Sequence, residues 1–266
     1  MEAPELAPAA PLPRPLAVLV DELAAGYELV EEWSSRTSRL SRFRAAGRRP
    51  EELVVKVCPR WTAAEARTSF EAARRFAPLA GERVRAIEFV AWSEEPPALV
   101  SEYVAGEELG ALLRRATPAA AAELRGLVAA AGGLLGRAHR LPIPSGVPTK
   151  PPGRRPRRRV LSAGDFASYN FRLDAGGTLV FLEPPSALRA VAAYRDLSWF
   201  LASLDPLLAG RRGLARSFRR AFLAAYRAAC GAPWGPLDAL HLWLHLWRRR
   251  RAMARRMRRR ETRRER

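Results

Sequence analysis

Residues 161–201 decide the fold and read LSAGDFASYNFRLDAGGTLVFLEPPSALRAVAAYRDLSWFL. In this stretch Asp165 and Asn170 stand five residues apart, in a polar loop between short apolar runs that are typical of strands. The run Leu179–Leu182 is the second strand of a predicted hairpin and leads directly into a further acid, Glu183. Asp and Asn are also common in turns, so the spacing needs support from other parts of the chain.

A lysine inside the apolar strand pattern Val54–Val57 provides that support. An ammonium group there is unfavourable without a partner. Glu71 follows Lys56 by fifteen residues on a predicted helix, and Glu65 on the same helix is a weaker candidate. Alone, such a lysine is more typical of the solvent face of an edge strand. One group of phosphoryl-transfer enzymes, however, pairs a strand lysine with a helix acid at the α- and β-phosphates, and uses D-x-x-x-x-N to face the substrate hydroxyl and Mg²⁺.

In this order and on these elements, the residues resemble the aminoglycoside phosphotransferase and choline kinase-like superfamily. Leu161–Leu201 resembles its catalytic segment, Leu99–Leu109 (LVSEYVAGEEL) its hinge, and Leu134–Leu141 (LLGRAHRL) a helix that ends in Leu-His. The matches are collinear from about Tyr27 to Leu204. The resemblance implies an α+β, two-lobed protein-kinase-like fold, with a small β-rich N-lobe and a larger helical C-lobe.

The same resemblance implies an ATP- and Mg²⁺-dependent phosphotransferase. Its acceptor would be a hydroxyl group of a small molecule: a sugar, a nucleoside, an amino alcohol or a lipid-linked glycan. Asp165 would be the catalytic base, and Asn170 and Glu183 would hold Mg²⁺. Asp196 would buttress the catalytic loop, and His139 is expected to be a structural histidine of the large lobe.

Six residues would bind ATP according to the resemblance. They are Lys56 and Glu71 at the phosphates, Ser34 and Ser35 in the first hairpin turn, and Glu102 and Val104 with their backbone at the adenine. ATP and a small hydroxyl-bearing substrate are therefore the expected partners.

Three departures from the family's pattern leave a second interpretation open. Ala163 stands where the family has a His that braces the loop, Glu183 stands where it has an Asp, and the first hairpin turn, Ser34–Ser38, has no glycine. A glutamate still offers an oxygen to Mg²⁺, and serine hydroxyl and backbone N–H groups still suit phosphates. The alternative is a pseudokinase-like binding protein that its Arg-rich tail recruits to an anionic surface.

The positive charge of the chain is concentrated in its second half. The 266 residues carry a net charge of +19, and residues 151–266 hold 26 basic and 8 acidic residues. Residues 248–266 hold 12 arginines and 2 glutamates after the Trp-containing run 237–247. This pattern suits an anionic membrane surface or another polyanion, and equally a final core helix with a solvated end. No motif for specific nucleic-acid binding accompanies it, and polycationic aminoglycosides would be repelled.

These patterns also predict the domain organisation. We expect a disordered Pro/Ala-rich arm over residues 1–16, a nucleotide-binding N-lobe over 17–104, a catalytic and substrate-binding C-lobe over 105–247, and an Arg-rich tail over 248–266. Within them, Val84–Trp92 is strand-like and the chain from Ala187 onward is helical in pattern. The N-terminal residues lack the pattern of a signal peptide. The expected location is the cytoplasm, with peripheral attachment to the inner face of the membrane as the alternative.

Overall fold

The computed structural model describes residues 26–34, 38–147, 159–231, 235 and 238–251. The chain divides into two compact units, one of Met1–Glu71 and Glu88–Tyr103 and the other of Ala72–Ile87 and Val104–Arg266. Residues 72–87, which the sequence pattern groups with the N-lobe, thus belong to the second unit. The predicted arm over residues 1–16 and the predicted tail beyond residue 251 lie outside the described residues.

The described residues form short strands and longer helices. The strands are β1 (Glu28–Ser34), β2 (Arg39–Arg44), β3 (Glu52–Val57), β4 (Val84–Ala86), β5 (Phe89–Glu94), β6 (Pro97–Glu102), β7 (Glu107–Glu108), β8 (Arg159–Leu161), β9 (Phe171–Leu173), β10 (Leu179–Phe181) and β11 (Ala190–Ala192). The helices are α1 (Ala63–Phe76), α2 (Leu109–Arg114), α3 (Ala121–Ala138), α4 (Ala193–Leu207), α5 (Arg212–Cys230) and α6 (238–251), with 3-10 turns at Ala77–Leu79 and Ser168–Asn170. None of the described helices combines the length and apolar character needed to cross a membrane.

The first unit is built on an antiparallel sheet with the strand order β1-β2-β3-β6-β5. In the central strand β3, every second residue from Leu53 to Val57 is buried, while Val54 and Lys56 lie half-buried on the opposite face. This period of two follows from the pleat, which places successive side chains on opposite faces. Lys56 therefore lies on a central strand, whereas a simply solvated lysine would favour an edge strand.

The second unit combines two small sheets with most of the helices. One sheet has the order β4-β10-β9-β7, in which β4 runs parallel to β10, and the other pairs β8 with β11. Two sequence-based predictions were wrong here. Val84–Trp92 is not one strand, because it divides between β4 and β5 in different sheets. Ala190–Ala192 is not helical, because it pairs with Arg159–Leu161, a distant partner that local periodicity does not reveal.

Helices α3 and α5 pack against each other at very close range. A Cβ atom added at Gly136 of α3 would lie 2.7 Å from the carbonyl oxygen of Tyr226 and 2.7 Å from the Cβ atom of Ala229. A Cβ atom at Gly132 would overlap the carbonyl group of Phe222. The two glycines therefore set the distance between the helices, since protein interiors leave no spare volume for a methyl group.

We expect the substitution Gly136→Ala to lower the free energy of unfolding by about 1–3 kcal/mol, because the added methyl group must displace the α5 backbone. The matched control is Gly133→Ala, whose Cβ atom would meet only the Arg137 side chain, at 3.5 Å. That control should leave stability unchanged or raise it by up to about 1 kcal/mol through helix propensity. Urea denaturation followed by circular dichroism measures the free energy of unfolding of both variants. An equal loss of stability in the two variants would contradict the close packing.

Candidate active site

The loop after β8 exposes Asp165 next to a deeply buried anchor. Phe166 is buried, and its ring centroid lies 5.1 Å from that of Phe171, 4.9 Å from that of Phe181 and 5.7 Å from that of Phe200. Aromatic pairs at these distances attract each other beyond the effect of their buried area. Since Asp165 itself is exposed, the aromatic cluster fixes the position of a carboxylate that solvent can reach.

Gly164 makes the turn that leads into Asp165. Its φ angle is +76°, a conformation that residues with a Cβ atom rarely adopt. An added Cβ atom would also lie 2.9 Å from the Cα atom of Pro185. Glycine is therefore required at this position for two reasons, the positive φ angle and the close approach of Pro185.

Two side chains and one backbone contact orient Asp165. The Tyr169 hydroxyl group donates to Oδ1 at 3.1 Å, and the Trp199 indole N–H donates to the same oxygen. The Asn170 amide Nδ2 donates to the Asp165 carbonyl oxygen at 2.7 Å. The predicted pair Asp165 and Asn170 is thus in contact, whereas Tyr169 and Trp199 were missed, because neither residue type signals such a role in sequence.

A buried carboxylate supports the same loop from α4. Asp196 is 1% exposed and accepts hydrogen bonds from the Ala163 backbone N–H at 2.7 Å and the Ser162 hydroxyl group at 3.2 Å. His139 Nε2 lies 3.3 Å from Asp196 Oδ2, the oxygen that accepts from Ala163, and His139 Nδ1 lies 2.9 Å from the Tyr226 hydroxyl oxygen. Asp196 therefore makes the buttressing contacts expected of it. The loss of a histidine side chain at Ala163 leaves the backbone bond in place.

Asn170 and Glu183 come from neighbouring segments of the second unit. The Leu182 N–H donates to the Asn170 carbonyl oxygen at 2.8 Å, which fixes the residue before Glu183 beside Asn170. Since Nδ2 of Asn170 is engaged with Asp165, its side-chain oxygen is the atom that suits a cation. Among the described residues, no three His, Cys, Asp or Glu side chains converge as a metal site. An amide oxygen and one carboxylate suit Mg²⁺, which keeps several waters or phosphate oxygens as ligands.

The residues predicted to bind the nucleotide phosphates lie in the first unit. Lys56 lies on β3 opposite Leu99 of β6. Glu71 is exposed on α1 and accepts a hydrogen bond from Arg67 Nε at 3.0 Å. Ser34 ends β1 and is exposed, and Ser35 lies outside the described residues. The pairing of Lys56 with Glu71 stays a prediction.

The predicted adenine-binding segment follows β6. The Glu102 carboxylate accepts a hydrogen bond from the Glu88 backbone N–H at 2.8 Å, and the Glu102 N–H donates to the Glu88 carbonyl oxygen at 3.1 Å. Val104 is buried in the second unit. Their role toward adenine also stays a prediction.

Comparison with known proteins identifies the fold. No protein-family model and no curated protein matches the sequence. Among solved structures, aminoglycoside phosphotransferase APH(3'')-Id from Streptomyces rimosus matches with a TM-score of 0.54 and 17% identity, over 88% of this chain and 98% of that chain. The streptomycin–ATP–APH(2")-IIa ternary complex matches with a TM-score of 0.55 and 14% identity, over 83% and 89%. The chain has a protein-kinase-like fold. A PknI kinase domain from Mycobacterium tuberculosis matches with a TM-score of 0.51 and 17% identity, over 85% of this chain and 96% of that chain. The predicted fold class is therefore confirmed.

A cavity of about 310 Å³ opens beside Asp165 in the helical unit of the kinase-like fold. It is lined by side chains of both charges and by small residues, namely Ser162, Gly164, Asp165, Pro185, Ser186, Ala187, Arg189, Arg195, Asp196, Trp199 and Arg249. The three arginines were missed as site residues, because in the sequence they are part of an arginine excess that extends over the whole second half of the chain. Volumes of this order are typical of small-molecule sites.

Helix α6 supplies one wall of that cavity. The Arg249 guanidinium group lies 4.5 Å above the ring of Trp199, the residue that donates to Asp165. Leu242 and Leu246 are buried in the core, and Arg250 Nε lies 2.5 Å from Asp205 Oδ2. The predicted tail boundary at residue 248 therefore falls inside a docked helix, because Arg249 and Arg250 make tertiary contacts of their own.

His245 lies on the buried side of α6, with its ring 4.3 Å from that of Tyr194. Burial lowers the pKa of His245, and the positive charges of Arg248, Arg249, His241 and Arg195 lower it further. The unfolded chain therefore binds a proton at this site more readily than the folded chain does.

We expect the protein to lose stability as the pH falls below 6.5, the ordinary pKa of His245. Above that pH the neutral imidazole makes its full contribution to the free energy of unfolding. This contribution is lost as the pH falls toward the pKa of His245 in the folded state. Thermal unfolding on both sides of pH 6.5 should show a smaller loss in His245→Gln than in the parent chain. A loss of equal size in both proteins would show that His245 does not control it.

Proposed function

We propose that the protein is an ATP- and Mg²⁺-dependent phosphotransferase that acts on a hydroxyl group of a small molecule. The observation that carries the proposal is the Asp165 carboxylate, exposed at a cavity of about 310 Å³ and oriented by Tyr169 and Trp199. The likeness in fold to aminoglycoside phosphotransferases supports it. Sugars, nucleosides, amino alcohols and lipid-linked glycans are the candidate acceptors.

Asp165 is the group that receives the acceptor. Its carboxylate accepts a hydrogen bond from the acceptor hydroxyl group and takes the proton as the oxygen attacks the γ-phosphorus of ATP. A new oxygen–phosphorus bond forms while the bond to ADP breaks, so the phosphoryl group moves and ADP leaves. Tyr169 and Trp199 hold the carboxylate in one orientation, which makes positioning the main contribution of the protein.

Asn170 and Glu183 are the residues that would hold Mg²⁺, through one amide oxygen and one carboxylate. Bound Mg²⁺ neutralises the phosphate charge during transfer. Lys56, held in place by Glu71, would bind the α- and β-phosphates, with Ser34 and Ser35 at the turn. The backbone at Glu102 and Val104 would meet the adenine. Ala163 supports the pseudokinase alternative less than its position in the sequence implies, because its backbone N–H still donates to Asp196.

We expect Asp165→Asn to reduce acceptor-dependent release of ADP by at least about 100-fold, because the amide cannot take the proton. The assay is ATP turnover with Mg²⁺ across sugars, nucleosides, amino alcohols and aminoglycosides. Tyr169→Phe is the matched control, since it keeps the carboxylate and removes one hydrogen bond. Its turnover should fall by no more than about tenfold.

ATP binding without turnover of any acceptor would instead favour the pseudokinase-like binding protein. Absence of ATP binding would contradict the phosphotransferase. Equal melting temperatures of the parent chain and the two variants ensure that turnover is compared between folded proteins.

We further propose that α6 attaches the protein peripherally to the inner, cytoplasmic face of the membrane. Leu240, Trp243 and Trp247 are 49%, 58% and 45% exposed and follow one another at helical spacing. The Arg251 guanidinium group lies 4.2 Å above the Trp247 ring. Exposed tryptophans beside arginines suit the boundary between acyl chains and anionic headgroups.

The test of this attachment is sedimentation with lipid vesicles. We expect binding to vesicles that contain phosphatidylserine and little binding to phosphatidylcholine alone. Replacing Trp243 and Trp247 together by Ser should weaken binding at least about tenfold, because the apolar contact with lipid is lost. The control is Leu29→Ser, which removes an exposed apolar side chain from β1. Equal binding to both lipids, or no effect of the Trp substitutions, would contradict the proposal.

A further inference from the structure

Three arginines from separate elements meet at the cavity beside Asp165. Arg189 precedes β11, Arg195 lies on the first turn of α4, and Arg249 lies on α6. Arg249 is far from the other two in sequence and reaches the cavity only through the tertiary fold. The positive charge of the second half of the chain is thus partly concentrated at the place where an acceptor would lie.

The acidic groups of the cavity already accept hydrogen bonds from other groups of the protein. Asp196 is buried and accepts hydrogen bonds from Ser162 and the Ala163 backbone, and Asp165 accepts from Tyr169 and Trp199. Within the described residues, neither Arg189 nor Arg195 forms an ion pair with a carboxylate. Two guanidinium groups therefore face the cavity without a carboxylate partner.

The surroundings of α6 show the same excess of positive charge. Arg195 and Arg249 are among the groups whose charges lower the pKa of His245. The Ser186 side chain adds a hydroxyl group to the cavity lining, whereas the Ser162 hydroxyl group already donates to Asp196. Guanidinium and hydroxyl donors together suit an anionic oxygen group, because the planar fork of arginine can donate two parallel hydrogen bonds to it.

We propose that the acceptor carries a phosphate or carboxylate group in addition to the hydroxyl group that is phosphorylated. Arg189 and Arg195 bind that anionic group, while Asp165 receives the hydroxyl. The inference rests on the proposed phosphotransferase activity and narrows its acceptor to anionic small molecules such as sugar phosphates and sugar acids. A polycation would meet three arginines at this cavity.

The test compares probes that differ only in the anionic group. The pairs are ribose with ribose 5-phosphate, glycerol with glycerol 3-phosphate, and glucose with glucuronate. Streptomycin serves as a polycation. Calorimetry measures binding to the full chain without nucleotide, and ADP release measures turnover with ATP and Mg²⁺. We expect at least one anionic probe to bind at least about tenfold more tightly than its neutral partner.

Variants of the cavity arginines connect that preference to the site. Arg189→Gln and Arg195→Gln should each weaken binding of the preferred anionic probe at least about tenfold. Binding of its neutral partner should not change. Arg220→Gln, an exposed arginine of α5 outside the cavity, is the matched control and should have no effect. Arg195→Lys should restore only part of the binding, because lysine keeps the charge and loses the fork.

The outcomes separate the inference from the activity on which it rests. Asp165-dependent turnover of ribose, glycerol or streptomycin, with no preference for anionic probes, would overturn the inference and leave the phosphotransferase in place. Arginine-dependent binding of anionic probes without any release of ADP would support an anion site at Arg189 and Arg195 and would count against the phosphotransferase. Absence of binding of every anionic probe would overturn the inference.

Discussion

The carboxylate of Asp196 is the group on which the candidate site depends. It is buried, and a buried carboxylate without partners costs several kcal/mol, so its hydrogen-bond donors must keep their places. These donors are the Ser162 hydroxyl group and the Ala163 backbone, and His139 lies against the same carboxylate from α3. One side chain therefore ties the loop after β8, helix α4 and helix α3 into a single arrangement. The position of Asp165 follows from it.

A second layer of contacts gives the site its chemical character. The aromatic cluster around Phe166 holds the loop from its buried side, and the Ser168 hydroxyl group lies 2.9 Å from that of Ser203 on α4. On the exposed side, hydrogen-bond donors surround Asp165 and arginines surround the cavity. A ligand that brings negative charge is stabilised by arginines in such surroundings.

The sequence allowed the fold to be predicted where the signal was local. Asp165, Asn170 and the hairpin after them follow one another within twenty residues, and the contact between Asp165 and Asn170 is present. Strand β11 and the cavity arginines could not be predicted in the same way. The pairing of β11 with β8 and the approach of Arg249 to Trp199 join segments that are far apart in the chain. Such contacts depend on tertiary packing, which produces no periodic pattern in the sequence.

The stacking of Arg249 on Trp199 has a consequence for biosynthesis. The Asp165 loop, the Asp196 carboxylate that supports it and most of the cavity lining lie between residues 162 and 199 and are made well before α6. A nascent chain that has released only these residues from the ribosome has the Asp165 loop but lacks one wall of the cavity. Synthesis and docking of residues 238–251 then complete the site. A chain that ends before α6 therefore has the Asp165 loop and an incomplete cavity.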